Sequence, residues 1–143
     1  MYSNNRVSLG VSFSSDALDY FLKALRIMRI VYGENNHDIA MLYNNIGDVC
    51  GNLGLYEKAM ENYFTALEIL DKIVDYYHPS VATVLNNIGA IYYEQEEYKE
   101  AIDCFRKALE IRIAVLGENH PDTVAVKENI REIDEKQKNG KSK

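Results

Sequence analysis

Three asparagines stand 42 residues apart, at Asn45, Asn87 and Asn129. Asparagine is a mediocre helix former, so its return at one position of a helical pattern asks for a reason. A carboxamide carries N–H donors and an acceptor oxygen. Each residue of an extended peptide presents one backbone N–H and one C=O. The chemistry open to such a column is recognition of a peptide backbone rather than bond making. A competing reading has the same amides bonding neighbouring helices and fixing the register of the chain on itself.

The other reactive residue types point away from catalysis. His78 and His120 share the 42-residue register and His37 lies one position off. All three precede helical runs, and residues one helix pair apart are too far from each other to ligate one metal ion. Helix-start residues is the reading, and no metal is expected. Cys50 and Cys104 fall at different places in the register and are read as unpaired buried thiols of a reducing compartment. Acidic pairs such as Glu96-Glu97 read as solvated turn residues. No Ser/His/Asp or Cys/His grouping shares a register, and there is no Gly-rich phosphate loop. The expectation is a non-enzyme without a cofactor.

The asparagines belong to a longer self-similarity. Ile46, Ile88 and Ile130 keep the same spacing, as do Ala17, Ala59 and Ala101, then Phe21, Tyr63 and Phe105, then Ala24, Ala66 and Ala108. No gap is needed from Ala17 to Ile130. A fixed period of this size marks a solenoid, whose stacked units bury one continuous core.

Each unit reads as two helices. In the clearest one, Val81, Val84, Leu85, Ile88, Ile91 and Tyr92 follow a helical period. Glu94 to Glu97 forms a polar break. A second apolar run passes through Tyr98, Ala101, Ile102, Phe105, Ala108 and Leu109 and ends at Gly117, a candidate C-cap. Calling these A and B, the chain predicts an orphan B helix over 16–32, whole repeats over 38–74 and 80–116, and a closing A helix over 122–137. Residues 1–15 break the pattern and are expected as a tail or a degenerate helix; 138–143 are expected to be disordered. Gly47 and Gly89 sit inside A helices, where glycine costs about 1 kcal/mol against alanine. With Ala59, Ala66, Ala101 and Ala108 they allow close helix approach, and Tyr63 or Phe105 fills the space beside them.

Composition narrows the partners. The 143 residues suit one domain, and the net charge is −6. The last 17 residues carry six basic and four acidic side chains, so the remainder is still more acidic. An acidic body repels nucleic-acid phosphates. No apolar run approaches the roughly 18 residues of a membrane span. Arg6 is followed by no apolar stretch of the kind a signal peptide has, so a cytoplasmic location is expected.

These strings resemble a tetratricopeptide repeat, whose pattern is an aromatic residue, Leu-Gly, Tyr, then Ala, Phe and Ala at fixed offsets. Leu85, Ile88-Gly89, Tyr92, Ala101, Phe105 and Ala108 follow it, and Tyr43, Ile46-Gly47, Ala59, Tyr63 and Ala66 repeat it. The period exceeds the usual 34, and a longer B helix replaces the closing proline. Both departures resemble the kinesin-light-chain group, with its Ala-Leu-Glu-Ile string at 108–111, Gly-Glu-Asn-His-Pro at 117–121 and Asn-Asn-Ile-Gly at 44–47 and 86–89. The resemblance implies an all-α fold, a right-handed superhelix of about six antiparallel helices.

It also implies that the A-helix stripe opposite the packed face lines a concave groove for peptides. At about 100° per residue that stripe carries Asn44, Asn45, Asp48 and Asn52 in the first repeat. In the second it carries Asn86, Asn87, Tyr93 and Glu94, and in the closing helix Asn129 and Glu132. Helices about 8–10 Å apart would space the asparagines by about three residues of an extended ligand. The stripe has only Lys136 as a base, so no clamp for a terminal carboxylate is expected and neutral or basic peptides are preferred. Arg26, Arg29 and Arg112 on B helices are the residues that could reach in and reverse this. The expected role is an adaptor or scaffold module for protein binding. The alternative is a structural spacer, or a module that self-associates through half-repeats at its ends.

Overall fold

In the computed structural model the described residues run from 4 to 141, with side chains described for 15–140. They form six helices, and no strand occurs among them: α1 (Asn4–Tyr32), α2 (His37–Asn52), α3 (Tyr56–Ile73), α4 (Pro79–Glu94), α5 (Tyr98–Leu116) and α6 (Pro121–Lys141). Residues 4–15 continue α1 rather than making a separate helix or a tail. No proline interrupts that stretch, so nothing stops the helix. Residues 138–141 likewise continue α6.

The chain divides into two compact units, residues 1–73 and 74–143. In the first, α2 packs against both α1 and α3. Ile39, Ala40, Ile46, Ala59, Tyr63, Ala66 and Leu70 are buried there. In the second, α5 packs against both α4 and α6. Ala101, Ile102, Phe105, Val126 and Ile133 form its core, flanked by Tyr92, Tyr93, Tyr98, Leu109 and Ile130. Burying a side chain of Ile or Phe size stabilises by about 1.5–3 kcal/mol, so these faces hold the hairpins together.

The small residues do what their recurrence predicts. A Cβ added at Gly47 would lie 2.6 Å from Tyr63 Cε1, and one at Gly89 would lie 2.8 Å from Phe105 Cε1. Each aromatic ring therefore lies directly on the backbone of the facing helix. Ala59, Ala66, Ala101 and Ala108 are fully buried.

Helix starts and turns repeat as well. Asn36, His78 and His120 occupy one register position. Asn36 Oδ1 accepts from the Asp38 and Ile39 N–H groups, at 2.7 and 3.3 Å. His78 Nδ1 accepts from Ser80 N–H and His120 Nδ1 from Asp122 N–H, both at 3.1 Å. The histidines thus cap helices, filling donors the first turn leaves open. At the A–B turns, Leu55 N–H reaches Cys50 C=O at 2.8 Å and Glu97 N–H reaches Tyr92 C=O at 2.9 Å. The left-handed residue that closes this turn is Gly54 in one repeat (φ 78°) and Glu96 in the other (φ 60°).

Candidate peptide-binding site

The stripe residues fare differently in the two units. On α2, Asn45 and Asn52 are exposed. Asn44 is buried, at 3% relative exposure, so it cannot line a surface. The helical wheel placed it beside Asn45, but α2 is covered from two sides, by α1 and by α3. Its buried arc therefore exceeds half the helix and takes in Asn44. Asp48 is half-buried and engaged: Tyr63 Oη donates to its Oδ1 at 2.5 Å. Burial pushes the Asp48 carboxyl above its usual range, and the bond from Tyr63 opposes that rise. The Tyr63 phenol is raised in turn, by burial first and then by the bond to Asp48.

On α4, the carboxamide oxygen of Asn86 is buried with no hydrogen-bond partner. Asn87 is half-buried and already engaged within the chain. Tyr93 and Glu94 turn toward α6. There, α4, α5 and α6 border an open cavity of about 120 Å³ lined by Ala90, Tyr93, Glu94, Phe105, Asn129, Glu132 and Ile133. Four residues singled out from sequence, Tyr93, Glu94, Asn129 and Glu132, thus meet around one space.

The polar rim of this cavity is organised by Tyr93. Its Oη donates to Glu132 Oε1 at 3.2 Å. Lys136, one turn beyond Glu132, reaches back so that Nζ stands 4.6 Å from the Tyr93 ring centroid. Hydrogen bonding to Tyr93, with Glu132 also near, raises the Lys136 pKa. Tyr98 packs against Tyr93 with ring centroids 5.8 Å apart.

Of the three arginines that could have altered the charge of the stripe, Arg29 and Arg112 are otherwise occupied, and Arg26 is exposed on α1. Arg29 pairs with Glu34. Arg112 lies 3.8 Å from Asp122, with only 17% of its side chain exposed. They border a second, smaller cavity in the case of Arg112, which includes Pro79, Thr83 and Leu116. Among the described residues no group of His, Cys, Asp or Glu is placed to hold a metal ion. No helix among them is long and apolar enough to cross a membrane.

Sequence reasoning missed the Asp48–Tyr63 bond. The signal was present: Tyr63 and Asp48 occur together in one repeat, and both are replaced, by Phe105 and Ala90, in the other.

Tandem helix hairpins, each closed by an aromatic ring on a helical glycine, define the class of protein as a helical repeat scaffold. The chain belongs to the tetratricopeptide repeat family. Two family models described as tetratricopeptide repeat match it, one over residues 15–79 and one over 81–122. Repeats of this family generally mediate protein–protein interaction, on a scaffold that is typically non-enzymatic.

The solved structures it resembles are kinesin-light-chain-like repeat proteins. BtubC (BKLC) from P. vanneervenii is 26% identical with a TM-score of 0.78, over 85% of this chain and 49% of that one. The chain thus spans about half the length of BtubC. A kinesin light chain protein from Podosopora anserina with nearly identical TPR-like repeats matches in fold, with a TM-score of 0.76 at 14% identity. That match covers 93% of this chain and 67% of the other. No curated protein matches the chain.

Proposed function

We propose that this chain is a peptide-binding interaction module with an adaptor or scaffold role. It holds a short extended segment of a partner protein against the outward stripe of α4 and α6. The observation that carries this reading is the cavity bordered by α4, α5 and α6, around which Tyr93, Glu94, Asn129 and Glu132 converge. An open space with a few convergent polar groups over an apolar floor is the usual form of a recognition site. The rim is acidic, and Arg29 and Arg112 are tied to acids of their own units. Both facts favour neutral or basic ligands.

The test is a peptide array followed by affinity measurements on Asn87→Ala and Asn129→Ala. Each variant removes one or two hydrogen bonds worth about 0.5–1.5 kcal/mol apiece, so affinity falls about three- to a hundred-fold. Variants that melt lower yet bind unchanged would instead make the asparagines register-fixing residues. An array won by acidic peptides would refute the charge preference.

A second reading, self-association, has its own observation. On α1, Tyr20, Ile27, Ile30 and Val31 are 62–80% exposed. Apolar groups presented together on one helix favour burial against another surface. Light scattering over a concentration series distinguishes the two: a mass that doubles without peptide supports self-association.

A further inference from the structure

The second repeat differs from the first at one spot that matters for ligand chemistry. In the first, the Asp48 carboxylate and the Tyr63 hydroxyl meet at 2.5 Å. At the same register the second repeat has Ala90 and Phe105, so both oxygens are gone, and these two residues line the open cavity. Its floor is apolar, from Ala90, Phe105 and Ile133. Its rim carries the Tyr93 ring and the Glu94 and Glu132 carboxylates. A space that is apolar below and anionic above fits a side chain that is apolar along its stem and cationic at its tip. The chain already shows where such a tip goes: the Lys136 ammonium stands 4.6 Å from the Tyr93 ring centroid, at a distance where a cation is attracted to the ring face.

We infer that this cavity is a subsite for one lysine or arginine side chain of the bound peptide, and that Lys136 is its intramolecular competitor. The inference rests on the peptide-binding reading above and adds the identity of one ligand side chain. The stem of the incoming residue lies on Ala90, Phe105 and Ile133. Its charged head takes the Tyr93 ring face and the Glu132 carboxylate, displacing Lys136 toward solvent. Lys136 is exposed and not among the cavity-lining residues, so it can leave without uncovering the core.

The probes are acetyl-Ala-Ala-Arg-Ala-Ala-amide and its citrulline counterpart, which keeps shape and loses charge. Binding is followed by the NMR shifts of the Ala90 and Ile133 methyl groups. The arginine peptide is expected to bind at least about fivefold tighter than the citrulline peptide and to shift both methyls. Glu132→Gln should remove most of that difference. Lys136→Ala should tighten arginine binding about three- to tenfold, whereas Lys138→Ala, the same charge change on another side of α6, should not.

The decisive variant is Ala90→Asp with Phe105→Tyr, which installs the first repeat's pair. It adds negative charge, so general attraction predicts tighter binding; the subsite predicts loss of the arginine preference. Should the double variant melt early, the Lys136→Ala and Lys138→Ala comparison still decides. Equal affinity for the two peptides, with shifts at the Asn87 amide but not at Ala90, overturns the subsite and leaves the peptide-binding reading standing. No shift anywhere with either peptide, and no binder on the array, overturns both.

Discussion

The first and second repeats are built on one scaffold and finished differently. Gly47 lies under Tyr63 as Gly89 lies under Phe105. Ala59 and Ala66 are buried as completely as Ala101 and Ala108. Where the repeats face away from the packed core they part. The first fills its outward corner with the Asp48–Tyr63 bond, and the second leaves an open cavity there. Close packing tolerates few alternatives, so the packed positions repeat, while the outward corner is free to differ between repeats and can carry specificity.

The largest effects should be the same in both repeats. Ala59→Phe and Ala101→Phe each force a ring into a fully buried site and should destabilise by about 1–3 kcal/mol. Thermal melts of the two variants check this. A loss in one and none in the other would break the structural equivalence of the hairpins.

A somewhat smaller effect should be confined to the first repeat. Tyr63→Phe leaves the half-buried Asp48 without its donor and should destabilise by about 1–2 kcal/mol. Adding Asp48→Ala completes the second repeat's pair and should restore part of the loss. A double-mutant cycle by urea unfolding measures the coupling; purely additive effects would show that the bond contributes nothing.

Next comes the turn. Glu96 holds a left-handed backbone, φ 60°, where the first repeat has Gly54. A non-glycine residue there is strained. Glu96→Gly should therefore stabilise by about 1 kcal/mol, read as a higher melting temperature. Gly54→Glu should do the opposite.

The smallest effect depends on pH. Asp48 has its folded-state pKa raised above 3.8, mainly by burial. The fold then favours the protonated carboxyl. Stability from this group is full below the unfolded pKa and declines as pH rises through the folded value. Asp48→Asn should remove that decline. The variant should gain about 0.5 kcal/mol on the wild type at neutral pH, the figure allowing for screening of its exposed part. The gain should vanish below about pH 4. A difference between the two proteins that does not change with pH would deny the burial cost.

Much of the fold was legible in the chain because the same physical demand recurs from repeat to repeat. A glycine inside a helix has a cost, so its return at position 89 after position 47 marks a close approach that packing requires. The ends were less legible. Nothing in residues 4–15 keeps the repeat register, yet the backbone simply continues α1. The candidate residues divide. Tyr93, Glu94, Asn129 and Glu132 lay on the stripe and meet at the cavity. Asn44 was misplaced because a helical wheel knows one packed face, whereas α2 has two neighbours. The cavity itself comes from what Ala90 and Phe105 lack, and a missing oxygen is visible only when two repeats are laid side by side.

Each compact unit contains one cysteine: Cys50 is buried on α2 and Cys104 half-buried on α5, both as free thiols. Burial raises the pKa of both, and the thiolate is the reacting form. A small alkylating reagent therefore reaches Cys50 chiefly when α2 transiently parts from its neighbours, whereas half-buried Cys104 offers part of its surface to the reagent in the closed fold. The first hairpin carries its own clock, and the second an internal reference. The ratio of their rates, read by mass spectrometry on the unmodified protein, would report how often the first hairpin opens.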